Sequence, residues 1–121
     1  MTIQEVAAKL VEFCRKGEFE AAQKQLYTDN ASSNEPANSP GMASVTGLDQ
    51  IIAKGHQFQA MLEAVHSISV SDPVIAGEYF SISLHMDVTM KGMGRQPMDE
   101  IAIYHVKDGK VLSEQFFYNV M

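Results

Sequence analysis

Three acids stand where the sequence can set their direction. Glu35 is followed by Pro36. A proline pushes its predecessor into extended backbone, so the Glu35 side chain leaves an Asn- and Ser-rich loop along a fixed line. At the mouth of an apolar pocket such a carboxylate loses hydration, gains basicity and can move a proton next to a carbonyl. On an open loop it faces water. The other two acids, Glu100 and Glu114, flank Lys107-Asp108-Gly109 near the end of the chain. Read as a three-residue hairpin loop with Gly109 left-handed, that segment pairs Val106 with Lys110. Tyr104 then opposes Leu112, Ala102 opposes Glu114, Glu100 opposes Phe116 and Met98 opposes Tyr118. One face gathers two Glu and two Tyr among apolar residues. If that face is concave, burial and like charge favour keeping one of the two acids protonated. If it faces solvent, the core is Ile101, Ile103, Val111 and Phe117 instead. A two-residue turn at Asp108-Gly109 shifts the register by one and breaks the pairing.

The expected catalytic set is therefore Glu35 as base with Glu100 or Glu114 as acid, and the expected pocket residues are Tyr104, Tyr118, Phe116, His66 and Phe58. His66 precedes Ile68 and Val70 on one strand face, so it reaches either the pocket rim or a sheet edge. His85 and Asp87 share a strand face and form a possible proton-handling pair. A metal site joining His85 to His105 lacks any compact ligand pattern, and neither a metal nor another cofactor is expected.

The elements that must position these groups follow from periodicity. Ile3, Val6, Ala7, Leu10, Phe13 and Cys14 recur at helical spacing, and Thr2 with Glu5 makes a capping box. Gly17 supplies a left-handed stop. A short second helix holds Phe19, Ala22 and Leu26. Residues 28–46 are rich in turn formers and predict a loop with one short extended piece around Ser32 to Pro36. A third helix, from about Leu48 to Ala64, is opened by Thr46 and aligns Leu48, Ile51, Ile52, Gly55, Phe58 and Leu62. A glycine inside a helix costs about 1 kcal/mol relative to alanine, so Gly55 predicts a close backbone approach. From Val65 onward the period is two. Glu78 to Lys91 alternates Phe80, Ile82, Leu84, Met86, Val88 and Met90 against a half-polar face, Pro97 to Val106 is a further strand, and Lys110 to Val120 closes the sheet. The fold class expected is α+β, a curved antiparallel sheet with three N-terminal helices over its concave face, in a single domain spanning 1–121.

Composition bounds the partners. The chain has 121 residues, 9 basic against 15 acidic, and a net charge of −6 with the basic residues scattered, which argues against nucleic acid and anionic membrane. One cysteine makes no internal disulfide, and no run of about 18 apolar residues or signal-like start is present. A cytoplasmic protein with a small-molecule or protein partner is expected.

At Gly17, at Asp29-Asn30-Ala31-Ser32-Ser33-Asn34-Glu35-Pro36 and at Lys107-Asp108-Gly109-Lys110-Val111, the sequence resembles the nuclear transport factor 2-like superfamily, and within it the SnoaL-like relatives of polyketide cyclases and ketosteroid isomerase. The resemblance implies a cone-shaped α+β fold, a homodimer, and a pocket between helices and sheet for a small hydrophobic molecule. It implies that Glu35 matches the isomerases' general base. Glu114 or Glu100 resembles by location the acid that polyketide cyclases carry in their closing strands. Leu10 occupies the place of the isomerases' oxyanion-donating Tyr, and their second donor falls near Ala102, so that oxyanion hole is not reproduced; Tyr104 or Tyr118 is the substitute by location. Three functions stay open: acid/base isomerase, cyclase or hydrolase; non-catalytic ligand carrier; and protein-interaction module working through the outer sheet face.

Overall fold

A computed structural model describes residues 1–39 and 42–119. Helix α1 (Ile3–Arg15) starts at the expected capping box: the Glu5 N–H donates to Thr2 Oγ1 at 3.2 Å and the Thr2 N–H to Glu5 Oε1 at 2.9 Å. Its buried stripe is Val6, Ala7, Leu10, Val11 and Cys14. Gly17, at φ 72°, ends it, with the Glu18 N–H returning to the Phe13 carbonyl at 2.9 Å. Helix α2 (Phe19–Leu26) buries Ala22 and Leu26.

The loop expected next is a strand. β1 (Tyr27–Asn34) runs parallel to the last strand, β7 (Lys110–Phe117), and antiparallel to the short β2 (Val45–Thr46). Two neighbours satisfy its backbone, and that outweighs the turn preference of its Asn and Ser residues. The sheet is consequently mixed, where pure antiparallel pairing was expected. Its order is β2-β1-β7-β6-β5-β3, built with β3 (Leu62–Val70), β5 (Tyr79–Met90) and β6 (Gly94–Lys107), and β4 (Val74–Ala76) pairs with β5. Helix α1 packs on β3 and β5; α2 and α3 (Leu48–Met61) pack on β1. The buried face of β5 is Phe80, Ile82, Met86, Val88 and Met90, as its alternation predicts. β7 ends at Phe117, short of the expected Val120, which lies outside the described residues.

Helix α3 corrects three expectations. Thr46 pairs with Ser32 in the sheet, and Gly47, at φ 106°, occupies the cap position without a side-chain bond. The helix stops at Met61, because Leu62 already pairs with Met90 in β3. A Cβ at Gly55 would meet nothing within 4 Å, so no close approach explains that glycine.

The last hairpin is decided by two compensating irregularities. Lys107 pairs with Lys110 across a two-residue turn in which Asp108 and Gly109 have φ of 53° and 75°, the left-handed pair of a tight hairpin. That alone would reverse the face. Leu112 is then bulged out, since Val106 pairs with Val111 but His105 pairs with Ser113. Beyond the bulge Tyr104 opposes Glu114 and Ala102 opposes Phe116, so the expected face is assembled with each partner displaced by two. Val111, before the bulge, falls on the buried side, which removes it from the outward set. Ile101, Ile103 and Phe117 remain exposed. Among the described residues no helix is long and apolar enough to cross a membrane.

Candidate functional site

Parallel pairing of β1 with β7 sets Ser33 beside Glu114, and antiparallel pairing of β6 with β7 sets Tyr104 opposite it. Glu114 is fully enclosed there. Tyr27 donates its hydroxyl to Glu114 Oε1, and Ser33 donates to Oε2 at 2.6 Å. Burial pushes the Glu114 carboxyl above the ordinary range against the pull of these two donors and of Lys54.

Lys54 comes from the inward side of α3, one turn after Ile51. Its Nζ donates to Ser33 Oγ and to Glu35 Oε2, both at 2.7 Å, and lies 5.8 Å from the centroid of the Phe116 ring. The side chains of Lys54 and Glu35 are only 8% and 4% exposed, which makes theirs an ion pair withdrawn from water. Glu35 stands just past the end of β1, where its N–H donates to Ser44 Oγ at 2.9 Å. Its second oxygen accepts the Tyr118 hydroxyl at 2.7 Å, and Ser39 donates in turn to Tyr118. Burial, with the bond to Glu35 adding to it, pushes the Tyr118 phenol up to about 12. The result is one hydrogen-bonded chain from Tyr27 through Glu114, Ser33, Lys54, Glu35 and Tyr118 to Ser39.

Glu100, on β6, faces this chain without bonding to it. Burial pushes its carboxyl up to about 7, the negative charges of Glu35 and Glu114 push the same way, and Lys54 opposes them. Cys14 of α1 lies beneath, its thiol pushed up to about 12 by burial and by the nearby Glu114 and Glu100. A thiol so held is inert. The site thus carries three carboxyl groups and one ammonium in a largely dry setting. Glu100 is the acid among them that is not engaged by another side chain of the network and that titrates near neutrality. That arrangement suits it to give and take a proton.

Of the residues expected from sequence, Glu35, Glu100, Glu114, Tyr118 and Phe116 are brought together. Tyr104 is buried below them, stacked on Phe80 with ring centroids 4.8 Å apart, and offers no open surface. Phe58 is half-buried on α3 and takes no part in the chain of bonds. His66 is exposed on β3 and bonds Thr89 Oγ1 at 2.8 Å, away from the acids. The expected His85–Asp87 pair does not form: His85 pairs across the strands with Asp99, and Asp87 with Arg95. His105 bonds Glu78 instead of approaching His85. Lys54, Ser33, Tyr27 and Ser39 were not expected. Lys54 had one visible signal, its place three residues after Ile51 on an apolar helix face.

The model of the SnoaL-like domain family matches residues 1–118. A Mesorhizobium loti protein provisionally described as a SnoaL-like polyketide cyclase is 35% identical over 98% of this chain and 100% of its own, with a TM-score of 0.90. A Xanthomonas campestris protein with a cystatin-like fold is 15% identical, with a TM-score of 0.81 over 97% of this chain and 90% of its own. A Catenulispora acidiphila protein with a ketosteroid isomerase-like fold, solved with trimethylamine, is 20% identical with a TM-score of 0.71, over 98% of this chain and 88% of its own. At those two identities the likeness is one of fold. No curated protein matched the chain.

Proposed function

Since the chain belongs to the SnoaL-like family, we propose that it performs proton-transfer chemistry of the isomerase, cyclase or hydrolase kind on a small hydrophobic carbonyl compound, held between α3 and the sheet. The observation that carries this reading is Glu100, a carboxyl pushed to about 7 by burial beside two further acids and without a partner among them. It is the general acid and base. Glu35 was the sequence's candidate for base, but its two oxygens are taken by Lys54 and Tyr118. In this reading Glu35 fixes the Lys54 ammonium, whose third N–H replaces the missing oxyanion hole at the ligand's oxygen, while Tyr118 spends its one proton on Glu35. Glu114 acts from behind, holding Ser33 and through it the Lys54 ammonium. The exposed Ile101, Ile103 and Phe117 support a homodimer formed through the outer sheet face. The lone buried thiol suits a reducing cytoplasm.

The test is deuterium exchange at the α-carbon of 2-tetralone in heavy water, followed by NMR. Wild-type protein is expected to accelerate exchange along a sigmoidal pH profile, and Glu100→Gln to abolish the acceleration. Exchange that is indifferent to Glu100→Gln would refute the assignment. A second reading, a carrier without turnover, is favoured by the way the other polar groups saturate one another. It predicts calorimetric binding of the same ketone without exchange.

A further inference from the structure

The outward face of the sheet is not uniformly apolar. Successive outward positions along β6 are Asp99, Ile101, Ile103 and His105, and Phe117 on β7 lies directly opposite Ile101. The exposed apolar residues therefore form a centre with an ionisable residue at each end. His85 on β5 is directly opposite Asp99, and its Nδ1 lies 2.9 Å from Asp99 Oδ1. At the other end His105 stacks on Tyr79, with ring centroids 4.6 Å apart, and bonds Glu78. The carboxylates of this face differ in what neutralises them. Asp87 holds Arg95 by two bonds, at 3.0 and 2.7 Å. The bond from His105 and the charge of Lys107 both hold the Glu78 carboxyl below the usual range, so Glu78 has a permanent cation beside it. Among the described residues Asp99 has no lysine or arginine in ion-pair contact, and its partner is His85. The groups that face His85 are Asp99 from β6, Ser69 from β3 and, on its own strand, Asp87, which Arg95 already engages.

We propose that a proton on His85 controls the pairing of two copies of this chain through the outer sheet face. The inference rests on the homodimer proposed above. An imidazole in water changes charge near pH 6.5. Above that pH the His85–Asp99 pair carries one negative charge, and below it none. The two side chains are 55% and 63% exposed, so a single copy keeps that charge in water at little cost. A second copy seated on Ile101, Ile103 and Phe117 takes water away from it. A two-fold dimer then desolvates two unneutralised Asp99 carboxylates, one from each copy. With the proton in place each copy brings a closed ion pair instead. Acidification therefore strengthens the dimer, and by linkage the dimer holds the His85 proton more tightly than the monomer does. An ion pair at the polar rim of an interface is worth a few-fold, so about threefold at each of two equivalent positions gives about tenfold in Kd.

Sedimentation equilibrium of the whole chain, at constant ionic strength, measures the dimer Kd at about pH 8 and about pH 6, on either side of the imidazole titration. Wild-type protein is expected to dimerise about tenfold more tightly at the lower pH. Asp99→Asn removes the lone charge, so it should dimerise at the higher pH as tightly as wild type does at the lower, and lose the gain on acidification. A gain in affinity is not what a misfolded variant produces. His85→Gln keeps the charge without the proton and should stay weak at both. Equal Kd values at the two pH values, or a gain that survives His85→Gln, overturn the inference and leave the dimer standing. Protein that is monomeric at both overturns the dimer and the inference together.

Discussion

Replacing Glu100 by glutamine should stabilise the protein at alkaline pH and leave it unchanged in acid. The wild-type carboxyl sits near 7 when folded and near 4.5 when unfolded, so the folded state holds its proton more tightly. A raised acid contributes stability that is complete below about pH 4.5 and is lost as pH climbs through 7. The difference of about 2.5 pKa units corresponds to about 3 kcal/mol at 1.36 kcal/mol per unit. Residual exposure of Glu100 reduces this to about 2 kcal/mol. Glutamine keeps the shape of the protonated acid and never ionises, so it escapes the loss. Urea denaturation at pH 8.5 should show the variant more stable by about 2 kcal/mol at unchanged m-value, and at pH 4 the two curves should coincide. An equal gain at both pH values, or none at pH 8.5, would show that Glu100 is well hydrated and would remove the ground for making it the acid and base.

Lys54→Met leaves Glu35 and Glu114 without their shared cation and should cost about 3–5 kcal/mol in urea denaturation at pH 7, with most of the loss recovered when Glu35→Gln is added. A loss below about 1 kcal/mol would mean that the pair is solvated. Gly109→Ala forces a side chain onto a φ of 75° and sets its Cβ 2.8 Å from the Met1 carbonyl oxygen, so a fall of several degrees in thermal midpoint is expected, at about 1–2 kcal/mol of strain. Phe117→Asp should convert the proposed dimer to monomer in sedimentation velocity, since it puts a charge on the exposed apolar face.

Much of the architecture was legible because local signals and global packing agree. The Thr2–Glu5 box, the Gly17 stop and the alternation of β5 each specify the same element that the core requires. The failures share a different cause. β1 carries Asn and Ser in a turn-forming pattern, and its pairing with β2 and with β7, some eighty residues away, makes it a strand. Lys54 could be seen in the helix yet not assigned, because its partners Ser33 and Glu35 are brought near by that same unexpected pairing. The hairpin shows how a correct conclusion can rest on a wrong register. A two-residue turn and the Leu112 bulge each reverse the strand face, and together they leave Glu100, Glu114 and Phe116 on the side a simple three-residue loop would have chosen.

The inner network is hard to account for as a device for holding the fold together. Apolar residues of the same volume commonly replace a buried ion pair without loss, or with a gain of a few kcal/mol, because two desolvation costs disappear. Here the cost is higher, since three acids share a single ammonium. Glu114 and Glu35 each have two hydrogen-bond partners to offset theirs, and Glu100 has no partner in that network. A fold that needed only stability would do better with glutamine or leucine at position 100. What an unpartnered carboxyl near neutrality provides is a proton that can leave and return at little cost, beside an ammonium already aimed by Glu35. The stability expected from Glu100→Gln and the exchange activity expected to vanish with it are two sides of that one arrangement, and measuring both on the same variant tests it.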